Sequence, residues 1–114
     1  MKPEGAVVVA ERSFLSQTTG FSPTTIFTPT EDGEFIIGIF LEGDATNGGP
    51  LQASYSYTND NGSAGDNTET INGGPGYKSL FQFFHAVSGQ PIQVHVSSFS
   101  GTASYNLFVS LISL

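Results

Sequence analysis

Gly33-Glu34-Phe35-Ile36-Ile37-Gly38-Ile39-Phe40-Leu41-Glu42-Gly43 is apolar at both parities of an extended chain. Phe35, Ile37, Ile39 and Leu41 make one continuous apolar face, while Ile36, Gly38 and Phe40 occupy the other. Successive side chains of a strand point to opposite sides, so this segment must be covered twice. Its β-branched and aromatic content favours strand over helix. Asp32-Gly33 supplies the turn that launches it, and Asn47-Gly48-Gly49-Pro50 turns the chain after it.

Working outward, alternation and turn dipeptides recur about every 8 to 12 residues, as all-β domains require. The pattern predicts strands at 6–15, 24–28, 34–43, 51–58, 68–71, 77–87, 92–99 and 104–114. Pro29, Asn59-Asp60-Asn61-Gly62, Asn72-Gly73-Gly74-Pro75, Gly89-Gln90-Pro91 and Ser100-Gly101 punctuate them. Eight strands in 114 residues predict an all-β fold, an eight-stranded antiparallel jelly-roll β-sandwich. Residues 1–22 read as an N-terminal strand or arm and 23–114 as the sandwich, one domain overall.

The strand faces divide into two kinds. At 51–58, Leu51, Ala53, Tyr55 and Tyr57 alternate with Gln52, Ser54, Ser56 and Thr58; at 92–99, Ile92, Val94 and Val96 oppose Gln93, His95 and Ser97. Each of these has one core face and one wet face. At 77–87, Phe81, Phe83 and Val87 oppose Leu80, Phe84 and Ala86; at 104–114, Leu107, Val109 and Leu111 oppose Phe108, Ile112 and Leu114. A small sandwich has one interior, so the second faces of 34–43, 77–87 and 104–114 need another cover. If these strands share a sheet, a second copy of the chain is the simplest one. The expected interface is Ile36, Phe40, Leu80, Phe84, Phe108, Ile112 and Leu114.

Composition removes several functions. The chain has 3 basic and 10 acidic residues, a net charge of −7, and only 11% charged residues. Lys2, Arg12 and Lys78 cannot form the basic face that nucleic acid or an anionic membrane surface demands. With no cysteine there is no disulfide framework, thiolate metal site or cysteine nucleophile. Val7-Val8-Val9-Ala10 is too short for a signal-peptide core or a membrane span, so the chain reads as a complete, untargeted, soluble product.

Thr25-Ile26-Phe27-Thr28-Pro29, Gly33-Glu34-Phe35-Ile36-Ile37 and the closing Tyr105-Asn106-Leu107-Phe108-Val109 resemble the trimeric jelly rolls of the tumour-necrosis-factor and C1q superfamily. That resemblance implies an inner sheet holding the third, sixth and eighth strands, and a homotrimer built on it. From Thr24 to Leu114 the sequence also resembles small jelly-roll structural proteins of tailed bacteriophages. Several of those serve as capsid decoration (cement) proteins, and others as tail or fibre tip modules. This implies a non-enzymatic virion protein on the outer capsid surface, with the major capsid protein as partner. The alternative it implies is a receptor- or glycan-binding tip module.

Motifs for chemistry are sparse. His85 and His95 could meet if their strands were antiparallel neighbours, but two histidines without H-x-H or H-E-x-x-H spacing read as satisfied or solvent-facing. Asp60 and Asp66, in an Asn/Asp/Gly-rich loop, are weak calcium candidates that fail the EF-hand register, so no metal or cofactor is expected. Asn61-Gly62-Ser63 is formally a glycosylation sequon. No G-x-S-x-G elbow or phosphate loop is present. Glu31, Asp32 and Glu34 lie at one end of the third strand and Glu42 and Asp44 at the other, roughly 30 Å apart at strand rise. No enzyme is expected. Tyr55, Tyr57, Tyr77 and Tyr105 are candidate sugar-stacking rings, with Tyr55 and Tyr57 on a core face.

Overall fold

The computed structural model describes residues 6–43, 50–60, 62, 64–72, 76–99 and 104–114. It describes side chains at the same positions except 50–51, 64–72, 76 and 97–99. Eight strands follow one another: β1 (Val7–Gln17), β2 (Phe21–Phe27), β3 (Gly33–Gly43), β4 (Pro50–Thr58), β5 (Ala64–Asn72), β6 (Gly76–Ala86), β7 (Ile92–Phe99) and β8 (Tyr105–Ser113). One sheet has the order β1-β8-β3-β6 and the other β2-β7-β4-β5. All pairs are antiparallel, and first pairs with last, second with seventh, third with sixth and fourth with fifth. That nesting is a long hairpin rolled into two sheets, the jelly roll.

The core lies between the sheets. Phe35, Ile37, Ile39 and Leu41 of β3 meet Tyr105, Leu107, Val109 and Leu111 of β8 on one wall, with Ala53, Tyr55, Ile92, Val94 and Val96 opposite, all buried. The expected co-location holds: β8, β3 and β6 are neighbours in one sheet, whereas β4 and β7 lie in the other. At one end of the core, Tyr105 donates its hydroxyl to the Thr19 carbonyl at 2.7 Å, and burial pushes its phenol up to about 12.

Several local expectations shift. β1 pairs with β8 from Val7↔Ser113 to Gln17↔Tyr105 and so runs two residues further than the expected strand at 6–15; residues 1–5 lie outside the described residues. β2 begins earlier than expected and includes Pro23, which an edge strand tolerates beside a register shift. β5 is longer than expected, because the edge of the second sheet pairs with β4 along its whole length, from Pro50↔Asn72 to Thr58↔Ala64. Ser16 adopts φ 53° where β1 shifts register, and its N–H is held by Asn106 Oδ1 at 2.8 Å. At Gly20 a Cβ would stand 2.5 Å from the Val96 carbonyl oxygen, so only glycine permits that approach between chain segments.

The facing of β6 corrects the sequence reading. Phe84 is 4% exposed and belongs to the core, and Leu80 is half-buried and packs against it. The register Phe35↔Phe84 and Ile39↔Leu80 puts both on the inner side of the sheet. The cause is an aromatic cluster: the Phe84 ring centroid lies 4.4 Å from Tyr57, 5.4 Å from Tyr55 and 5.8 Å from Phe35. Phe81 and Phe83 take the outer side at 74% and 62% exposure. Removing the buried ring should therefore cost far more than removing its neighbour. Phe84→Ala is expected to lower the unfolding free energy by about 3–5 kcal/mol in urea titrations. In a dissociated single copy Phe83→Ala should change it by much less, and equal losses there would refute this facing.

Candidate functional site

On β8, β3 and β6 the outer face of the β1-β8-β3-β6 sheet is built from three cross-strand rows, which continue on the edge strand β1 at Val8, Glu11 and Ser13. Ile112, Ile36 and Phe83 form the first; Ser110, Gly38 and Phe81 the second; Phe108, Phe40 and Ser79 the third. Phe81 leans over Gly38, where a Cβ would lie 3.0 Å from its ring. Phe40 packs 6.0 Å from Phe108 and 5.8 Å from Tyr77, centroid to centroid. Between these rings runs a groove of about 400 Å³, lined by Gly38, Phe40, Phe81, Phe108, Ser110 and Ile112. Small residues in the middle row and aromatic rings around them make a concave apolar surface.

Polar pairs close the patch at both ends. Beyond the third row, Asn106 Nδ2 donates to Glu42 Oε1 at 3.0 Å. Beyond the first row, Glu34 stands opposite His85. Of the residues expected at an interface, Ile36, Phe40, Phe108 and Ile112 share this face, while Leu80 and Phe84 point inward. Leu114 is exposed at the sandwich end, its N–H held by the Glu34 carbonyl at 2.9 Å. Phe81, Phe83 and Tyr77 were missed. They lie on the side of 77–87 opposite Leu80 and Phe84, and no polar alternation there chooses between the sides.

The two histidines do not meet, because β6 and β7 belong to different sheets. His95 stands opposite Ser54 in the second sheet. His85, at the end of β6, is instead the hub of a polar cluster. Its Nδ1 lies 2.5 Å from Glu34 Oε2 and its Nε2 lies 3.1 Å from Asp60 Oδ1. Asp32 is the next carboxylate in this group, and its Oδ1 accepts the Ser88 N–H at 2.8 Å. Asp60 therefore has a partner other than Asp66, which on β5 pairs through its backbone with Ser56 of β4 and whose side chain lies outside the described residues. Backbone bonds at this end include Val87 N–H to the Thr58 carbonyl and Gly89 N–H to the Pro29 carbonyl. Gly89, at φ +79°, makes the tight turn that carries the second of these.

The Glu34 carboxylate raises the His85 pKa above its ordinary value; partial desolvation opposes this and the Asp60 charge adds to it. An imidazole whose folded pKa is raised contributes stability in full below the unfolded value near 6.5, and loses it as pH rises through the folded value. In chelator-treated buffer, the urea midpoint should fall between pH 6 and pH 8.5, and His85→Gln should flatten that slope. An unchanged slope in the variant would exclude His85 as its source.

No family model matches the chain, and no curated protein matches it in sequence. Among solved structures it is similar to a "Family 16 Carbohydrate Binding Module-2" at 13% identity, covering 83% of this chain and 69% of that one, with a TM-score of 0.47.

Proposed function

We propose that this jelly roll is a non-enzymatic structural protein whose copies associate through the outer face of the β1-β8-β3-β6 sheet, as a homotrimer. The observation that supports this reading is the pair of rings Phe81 and Phe83, 74% and 62% exposed, continuous with Ile36, Phe40, Phe108 and Ile112. Monomeric soluble proteins rarely leave such a surface in water. Full burial of one phenylalanine contributes about 1.5–3 kcal/mol, whereas association costs roughly 4–15 kcal/mol in lost freedom. Phe81 and Phe83 together supply roughly 3–6 kcal/mol per copy, which reaches only the lower part of that cost, so the rest of the patch has to contribute. The resemblance of residues 24–114 to phage decoration proteins extends the proposal to a role on the outer capsid surface, against a major capsid protein.

The second reading is a glycan-binding module. It is favoured by Tyr77, 72% exposed beside Phe40, whose register partner Glu42 and neighbour Asn106 offer polar groups next to an aromatic platform.

Sedimentation equilibrium separates the two. The wild-type chain should sediment as a trimer, and more firmly at high salt, since a net charge of −7 per copy makes association repulsive at low salt. Phe40→Asp and Phe108→Asp should each give a folded 12.0 kDa monomer. A wild-type monomer at high concentration, together with glycan-array binding lost in Tyr77→Ala, would favour the second reading.

A further inference from the structure

We propose that Asp32, Asp60 and His85 form a binding site for a divalent first-row transition ion of the zinc type, with Glu34 as a positioning carboxylate behind the imidazole. The proposal is independent of self-association: the site lies at the end of the sandwich, beyond the apolar rows.

The three ligand atoms, one from each residue, all lie within 4.8 Å of one another. A tetrahedral ion with bonds of about 2.0–2.1 Å spaces its ligands about 3.3 Å apart. His85 Nε2 and Asp60 Oδ1, 3.1 Å apart, already stand near that edge length. Asp32 needs only a small side-chain movement to complete a triangular face, leaving the fourth position for water. Donor chemistry selects the ion. One imidazole with two carboxylates suits a borderline metal, whereas calcium prefers six to eight oxygens.

The surrounding contacts are those a metal centre uses. A metal-bound histidine usually gives its other ring N–H to a carboxylate, and Glu34 sits on Nδ1 in that position. The assignment fixes Nε2 as the metal-facing atom. Ligating carboxylates are likewise held from behind, and the Ser88 N–H holds Asp32 Oδ1, leaving Oδ2 to turn toward the ion. In the metal-free chain the Nε2 to Asp60 hydrogen bond is made through a proton on the imidazole. Proton and metal are thus alternative occupants of one position. Asp32 precedes β3, His85 closes β6, and Asp60 follows β4 of the other sheet, so an ion here would tie the two sheets together.

Calorimetric titration of the full chain with zinc chloride near pH 7.5 should show one ion per chain. Saturating zinc should raise the thermal midpoint by about 5 °C or more. His85→Gln and Asp60→Asn should each weaken binding at least tenfold while keeping the wild-type circular dichroism and oligomeric state. Both positions are partly exposed, and the second variant decides the matter should the first misfold. Glu34→Gln should weaken zinc binding by about 10–100-fold, as removal of a positioning partner does. No zinc binding by the wild type at millimolar concentration would overturn the proposal. So would zinc affinity unchanged in Asp60→Asn, or a calcium-induced shift equal to that of zinc and retained in His85→Gln.

Discussion

Both faces of β3 are apolar, and the strand lies between β8 and β6 in the middle of its sheet. Its inner face needs an opposing sheet, which β4 and β7 supply with Ala53, Tyr55, Ile92, Val94 and Val96. Its outer face has no such layer among the described residues. Nesting the eight strands as a rolled hairpin satisfies the backbone of β3 on both edges through eleven-residue pairing with β6 and nine-residue pairing with β8. It also gathers the other two-sided strands around it. The fold therefore concentrates the surplus apolar surface into one patch instead of scattering it, and concentrated surface is what association requires.

Much of this was legible in the sequence. Alternation at 51–58 and 92–99 is clean, and those strands lie in one sheet, although on their polar side Ser54 is buried and not wet. Doubly apolar 34–43 and 104–114 lie in the other, with the parities expected from Phe35 and Leu107. The reading failed where alternation carries no information. In Leu80-Phe81-Gln82-Phe83-Phe84 both parities carry large apolar residues, polar Gln82 falls on the side that turns inward, and the choice is made by Tyr55 and Tyr57 on a different strand, some thirty residues earlier in sequence. Period-2 patterning shows that a strand has two apolar faces; only its cross-sheet partners decide which is inside.

The polar cluster was illegible for a different reason. Asp32, Asp60 and His85 are separated by 28 and 25 positions and follow no ligand spacing, so no motif connects them. Their meeting is a product of topology: the turns after β2, β4 and β6 emerge at the same end of the sandwich, as the bonds Val87 to Thr58, Gly89 to Pro29 and Ser88 to Asp32 record. The Asn/Asp/Gly-rich loop drew the eye to Asp60 and Asp66, but the chemistry of Asp60 is set by a strand end that is distant in sequence.

Under the proposed self-association, the apolar middle and charged ends have complementary parts in an acidic chain. Repulsion between copies of charge −7 grows as they approach, while hydrophobic attraction is confined to contact. Such a balance tolerates association only if charges lie off the contact surface. Glu42 is tied to Asn106 at one end of the patch and Glu34 to His85 at the other; on β8, β3 and β6 the three rows between them carry no charged side chain, and Glu11, paired with Ser110, stands on the edge strand β1. A carboxylate placed within those rows would be desolvated without a partner on closure, at a cost of several kcal/mol. In the proposed trimer this arrangement of charge would limit where copies meet, and the uncharged rows through Ile36, Gly38 and Phe40 are the surface it leaves.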